Sequence, residues 1–164
     1  MLHAEVVAAS LSGSGLNPAG YGGSLRRIVV PVDGQPGSIT AVALAARLCV
    51  ATGGELLVVH VRIYDPPVRG SGRFFPESSE AATSVLDNAV SAAWPFGARA
   101  CGVVVDAPRR QTAAAISRTA RGWKADAIVL ARPARPRISR LVLGSVSDQI
   151  MRQADCPVLL VRSA

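Results

Sequence analysis

Aromatic residues are scarce in this chain: Phe, Trp and Tyr make up 4% of 164 residues, although hydrophobic residues reach 49%. A core with few rings must be built from Ala, Val, Leu and Ile, which points to an α/β or helical protein rather than an aromatic-rich β-sandwich. Lysine is nearly absent. Of 18 basic residues only Lys124 is a lysine, so guanidinium groups carry the formal charge of +7. Such a charge attracts polyanions and says nothing about fold. Cysteine is limited to Cys49, Cys101 and Cys156, an odd number without a C-x-x-C pair or a histidine at metal spacing. Free buried thiols in a reducing cytoplasm are therefore expected, not a disulfide framework. His3 and His60 are the only histidines, which leaves a Ser-His-Asp triad or a His-rich metal site little to work with. There is no G-x-x-x-x-G-K-[ST] phosphate loop and no G-x-S-x-G elbow. No run of about 18 apolar residues occurs, and no basic stretch leads into an apolar signal core. The expectation is a soluble, cytoplasmic protein that does not enter a membrane.

The length excludes two large domains and suits one, able to bury roughly 70% of its unfolded surface. Residues 1–24 hold five glycines and four serines without a sustained period, so they are read as an unstructured tail before a single domain over 25–164. Gly13-x-Gly15 within that stretch neither follows a strand nor opens a helix and carries no dinucleotide reading. From Arg27 a regular alternation begins. Aliphatic strands are expected at Arg27–Val32, Leu56–Val61, Arg99–Val105, Ala127–Leu130 and Pro157–Val161. Helices are expected at Ser38–Thr52, Ser78–Ala93, from Asp106 and Pro108 to Gly122, and Ser145–Ala154, with a long loop over 62–76. Five strands alternating with four helices specify an α/β three-layer sandwich around a five-stranded parallel sheet.

Three stretches carry a resemblance: the strand ending Val29-Val30-Pro31-Val32-Asp33-Gly34, the second strand ending His60-Val61, and the tail Gly144-Ser145-Val146-Ser147-Asp148 through Ala154-Asp155-Cys156-Pro157-Val158-Leu159-Leu160-Val161. Together, over about Leu25 to Arg162, they resemble the universal stress protein family. The resemblance implies the adenine nucleotide alpha hydrolase-like strand order 3-2-1-4-5, frequent homodimers and, in one branch, bound ATP. With that order, the winding of the sheet reverses between the first and fourth parallel strands, where open α/β sheets place their ligands. Pro31, Val32 and Asp33 would line one side, with Val61 nearby. Leu130 and Ala131 would line the other, and the helix start at Gly144, Ser145, Val146 and Ser147 would close the end.

ATP-binding members resemble one another after the fourth strand: two glycines three apart, nine residues, then Gly-Ser or Gly-Thr. Here the register falls on Ala131, Ala134 and Gly144-Ser145. Both leading glycines are replaced, and a left-handed alanine costs roughly 1–2 kcal/mol. Pro133 and Pro136 remove amide donors from the same loop. Arg132, Arg135, Arg137 and Arg140 offer guanidinium groups that either grip phosphate or form a solvated basic face. The resemblance thus implies a degenerate nucleotide loop, with ATP or another adenine nucleotide as the alternative ligand and no certain cofactor. It also gives Asp33 a place against the adenine, although Asp33-Gly34 reads equally as a plain turn. Gly144-Ser145 with Asp148 offers both an anion site and an ordinary capping pair. His60 reads as a strand terminus more readily than as a ligand.

The related ATP pyrophosphatases carry S-G-G-x-D-S after the first strand, where this chain has Asp33-Gly34-Gln35-Pro36-Gly37-Ser38. An enzyme is not expected. The leading reading is a non-enzymatic stress-response sensor or interaction module, dimeric through the edge strand Pro157–Val161. Nine basic residues and one acid, Asp126, lie between Arg109 and Arg140. Without interleaved aromatics beyond Trp123, they would support backbone attraction to nucleic acid but no sequence reading, so nucleic acid is not an expected partner.

Overall fold

Unpatterned aliphatic runs such as Ile28-Val29-Val30 and Leu56-Leu57-Val58-Val59 are stable only as strands covered on both faces. The computed structural model describes residues 5–10, 25–66, 72–132 and 146–162. Over them the chain forms β1 (Glu5–Ser10), β2 (Arg27–Val32), α1 (Pro36–Thr52), β3 (Glu55–Tyr64) and α2 (Ser79–Ser91). β4 (Arg99–Pro108), α3 (Thr112–Gly122), β5 (Ala127–Arg132), α4 (Val146–Gln153) and β6 (Val158–Arg162) follow. The sheet order is β1-β6-β5-β2-β3-β4. β2 to β6 are parallel and, numbered among themselves, follow 3-2-1-4-5.

Alternation along β2 divides the core. Ile28, Val30 and Val32 join Ala41, Val42, Ala45 and Cys49 of α1 and Leu86 and Ala89 of α2. Val29 joins Leu57, Val59 and Ile128 against Ile116 of α3 and Ile150 of α4. Small residues let α1 approach the sheet closely, and burial pushes the Cys49 thiol up to about 11. All three cysteines are free, but only Cys49 is buried as expected; Cys101, on a strand at the sheet edge, is exposed and Cys156 is half-buried. The strand starts are laced together by Asp126, whose Oδ2 accepts from the backbone N–H of Arg26 (2.9 Å) and Arg27 (2.8 Å). Gly53 ends α1 in the left-handed conformation at φ +65°, and a Cβ on Gly54 would stand 2.5 Å from the Arg26 carbonyl oxygen. That glycine pair lets the chain turn directly from α1 into β3.

The structure corrects two expectations. Glu5–Ser10 does not belong to an unstructured tail: it is a strand, antiparallel to β6, with Glu5 opposite Arg162, Ser10 opposite Val158 and a register shift between Val6 and Ala8. The glycines and serines that define the tail by composition lie mostly after Ser10, while Glu5–Ser10 is a short apolar run able to pair. Consequently Pro157–Val161 is not a free edge through which a second copy could pair. β1 already takes up that side of the ladder, as covered edges in native sheets do. Residues 1–4 and 11–24 of the expected tail lie outside the described residues.

Boundaries also shift. β4 runs through Asp106 to Pro108 in unbroken register with β3, where Arg62 opposes Asp106. The Arg62 guanidinium grips that carboxylate at 2.8 Å through both Nε and a terminal nitrogen. A single 3₁₀ turn at Arg109–Gln111 then leads into α3. β3 likewise continues to Tyr64, and Asp65 bridges Phe74, so part of the expected loop is ordered.

Candidate functional site

β2 and β5 pair only at Ile28 with Ala127 and Val29 with Ile128. Beyond that point the strands diverge toward their carboxyl ends, because the connections from β2 and β5 leave to opposite faces of the sheet. The opening is a cleft of about 470 Å3, lined by Pro31, Val32, Asp33, Val61, Leu130, Ala131, Val146 and Ser147. Its volume falls within the ~300–1,000 Å3 typical of small-molecule sites. Of the sequence-expected residues, Pro31, Val32, Asp33, Val61, Ala131, Val146 and Ser147 are thus brought together. Ala134, Arg135, Gly144 and Ser145 lie outside the described residues.

Asp33 sits where β2 hands over to α1. Its Oδ1 accepts from the Gln35 N–H (3.1 Å) and from the Ser38 hydroxyl, while the Asp33 N–H donates to Ser38 Oγ at 3.2 Å. Gly34 follows at φ +75°, a conformation suited to glycine. The turn reading of Asp33-Gly34 is therefore realised. It does not compete with the ligand reading, since among the described residues nothing hydrogen-bonds to Oδ2. The turn spends one carboxylate oxygen of a residue that lines the cleft and leaves the other uncommitted among the described residues.

His60, expected as a half-buried strand terminus, instead lies within β3, which runs on to Tyr64; it is buried at 5% exposure and lines the cleft. Its Nδ1 lies 3.0 Å from the Val32 carbonyl oxygen, and its Nε2 lies 2.9 and 3.1 Å from the two carboxylate oxygens of Glu77. Glu77 reaches it from the connection between β3 and α2. Arg109, Thr112 and Ile116 at the start of α3, together with Ile63 and Ile150, complete the wall. Arg109 makes no ion pair among the described residues. Beside the cleft, Arg62 holds the Asp106 carboxyl below its ordinary range by hydrogen bonding and charge. Arg62 also bonds the hydroxyl of Ser79.

Sequence reasoning missed Glu77 and Arg109. Glu77 is 17 residues from His60 in a segment without periodicity, so no local pattern pairs them. Arg109 carried a usable signal: it follows the carboxyl end of a parallel strand, where the same topological rule puts ligand-facing residues.

Comparison with known proteins places these features in context. The profile of the universal stress protein family matches residues 24–162. A universal stress protein of Thermus aquaticus is 33% identical over 144 residues, covering 84% of this chain and 98% of that protein. A universal stress protein from Archaeoglobus fulgidus, solved in complex with dAMP, superposes with a TM-score of 0.65 at 25% identity, covering 84% of this chain and 98% of the other. A universal stress protein in complex with cAMP superposes with a TM-score of 0.69 at 22% identity, covering 87% of this chain and all of the other.

Proposed function

The chain belongs to the universal stress protein family, and from that premise we propose that it is a non-enzymatic stress-response sensor or interaction module. In this reading its cleft takes an adenine nucleotide with a short phosphate chain in preference to ATP. The observation that carries the reading is the splayed switch-point cleft with a half-committed Asp33 carboxylate at one end and the start of α4 at the other. Oδ2 of Asp33 would accept from the adenine amino group, and Pro31, Val32 and Val61 offer an apolar bed for the base. Val146 and Ser147 open α4, whose N-terminal N–H groups and dipole favour a phosphate. Arg109 adds a cation to the same cleft.

Two observations favour a short phosphate chain and a module without turnover. Near the carboxyl end of β5 stands Ala131, not glycine, so a methyl group sits just before the loop that wraps a triphosphate in ATP-binding relatives. Asp33 is engaged with Ser38 and Gln35, and His60 with Val32 and Glu77, so the cleft's carboxylates and imidazole serve structure before chemistry. The solved relative with dAMP supports a mononucleotide ligand.

Calorimetry with AMP and with ATP plus Mg²⁺ tests this. AMP is expected to bind at least as tightly as ATP, and either nucleotide is expected to be recovered unchanged after incubation. ATP binding about tenfold tighter than AMP, a difference of about 1.4 kcal/mol, would establish the alternative of an ATP-binding universal stress protein. Release of ADP or AMP at enzymatic rates would refute the non-enzymatic part.

A further inference from the structure

We propose that the His60–Glu77 pair makes ligand binding in the cleft proton-linked, so that an anionic ligand binds best when the pair holds a proton and is released as pH rises. The inference rests on the nucleotide reading above and adds its regulation.

The geometry of the imidazole carries it. Both ring nitrogens face acceptors, Nδ1 the Val32 carbonyl oxygen at 3.0 Å and Nε2 the Glu77 carboxylate at 2.9 Å. A carbonyl oxygen can only accept, and an ionised carboxylate can only accept. A neutral imidazole has one N–H and satisfies one of them. Making both contacts requires one proton more than a neutral ring beside an ionised carboxylate, whether that proton rests on Nε2 or on Glu77. Losing it sets a lone pair against an oxygen at one of the two contacts and leaves the pair with a net negative charge.

Both ends of this clamp belong to the cleft. Val32, His60 and Glu77 all line it, so the extra negative charge develops beside the ligand. Imidazole is also the side chain suited to trading a proton at physiological pH. The other charged groups around the pair are Asp33, Arg62 and Arg109, with Asp106 and Glu80 beyond them. Asp33, after β2, is held by Ser38 and Gln35. Arg62, two residues along β3, is committed to Asp106 while remaining within electrostatic reach of Glu77 and of Glu80 on α2. Arg109, before α3, places a guanidinium group in the same cleft. The His60–Glu77 pair is thus the element of this wall whose charge responds to pH.

The sign follows directly. With the proton in place the pair is neutral overall and tolerates a phosphate. Without it a negative charge faces a negative ligand and affinity falls. Cyclic AMP is the suitable probe, because its phosphodiester keeps one charge where a phosphate monoester titrates near pH 6. Calorimetry across about pH 6 to 8.5 is expected to show cyclic AMP affinity falling about three- to tenfold, with uptake of a fraction of a proton read from buffers of different ionisation enthalpy. Glu77→Gln, at a half-buried position, is expected to bind with a flat pH profile and no proton uptake, and His60→Gln is expected to do the same. Binding by the unaltered protein that neither varies with pH nor takes up protons would overturn the linkage and leave the nucleotide reading intact. Absence of binding by cyclic AMP and AMP at every pH would overturn the nucleotide reading and the linkage with it.

Discussion

Replacing Asp33 by Asn separates the two jobs assigned to its carboxylate. The turn uses Oδ1, which accepts from the Gln35 N–H and the Ser38 hydroxyl. An asparagine Oδ1 can accept both bonds, so the cost to the turn is only the difference between a charged and a neutral acceptor. That difference is about 0.5–1 kcal/mol. At about 2–4 °C per kcal/mol for a domain of this size, the unfolding midpoint should fall by no more than about 4 °C. The ligand side changes more. Oδ2 becomes an NH₂ group, and a donor then faces the adenine amino donor. Loss of a hydrogen bond to a charged group costs about 1.5–3 kcal/mol, a drop in affinity of about ten- to a hundredfold. Thermal unfolding and AMP calorimetry on the same sample measure the two effects. An unchanged AMP affinity together with the expected small loss of stability would show that the base does not contact Asp33, and the proposed orientation of the nucleotide would fall.

The remaining predictions concern the frame around the cleft. Gly102→Ala in β4 would bring a Cβ within 2.7 Å of the Leu86 side chain, so about 1–3 kcal/mol of stability should be lost. Leu86→Ala in the same chain should recover part of it, and denaturant titration reads both; an additive loss would contradict the clash. Removal of residues 1–10 uncovers the outer side of β6, and self-association is expected by light scattering at concentrations where the intact chain shows less. Equal association of the two forms would show that β1 does not guard that edge. Asp106 has its carboxyl lowered by Arg62, so its stabilising contribution is present above the unfolded value of about 3.9 and is lost as pH falls through the lower folded value. Asp106→Asn should therefore narrow the stability gap between about pH 6 and pH 3 in thermal scans, and an unaltered gap would argue that the pair adds nothing.

How much of this was legible in the sequence depends on how far apart the interacting residues lie. The strands Arg27–Val32 and, short of its extension to Tyr64, Leu56–Val61 read correctly because their aliphatic runs require cover on both faces. α1 read correctly because Gly53-Gly54 stops it. Pro31, Val32, Asp33 and Ala131 could be assigned to the cleft once the strand order was implied, since ligands sit where the winding reverses. The edge strand did not read correctly. Glu5–Ser10 is too short to stand out within a glycine- and serine-rich segment, and its pairing depends on β6, more than 140 residues away. The extension of β4 through Asp106 was missed for a similar reason: local turn signals at Asp106 and Pro108 yield to a ten-residue ladder with β3.

What the sequence determined by itself is the class of architecture: periodicity and the position of glycine act over a few residues, and they are enough to order strands and helices along the chain. The tertiary structure alone decided that β1 covers β6 and that His60 meets Glu77. These are contacts between groups whose separation in the chain bears no relation to their separation in space. Hydrogen bonds of about 3 Å form only after packing has brought both partners to one place.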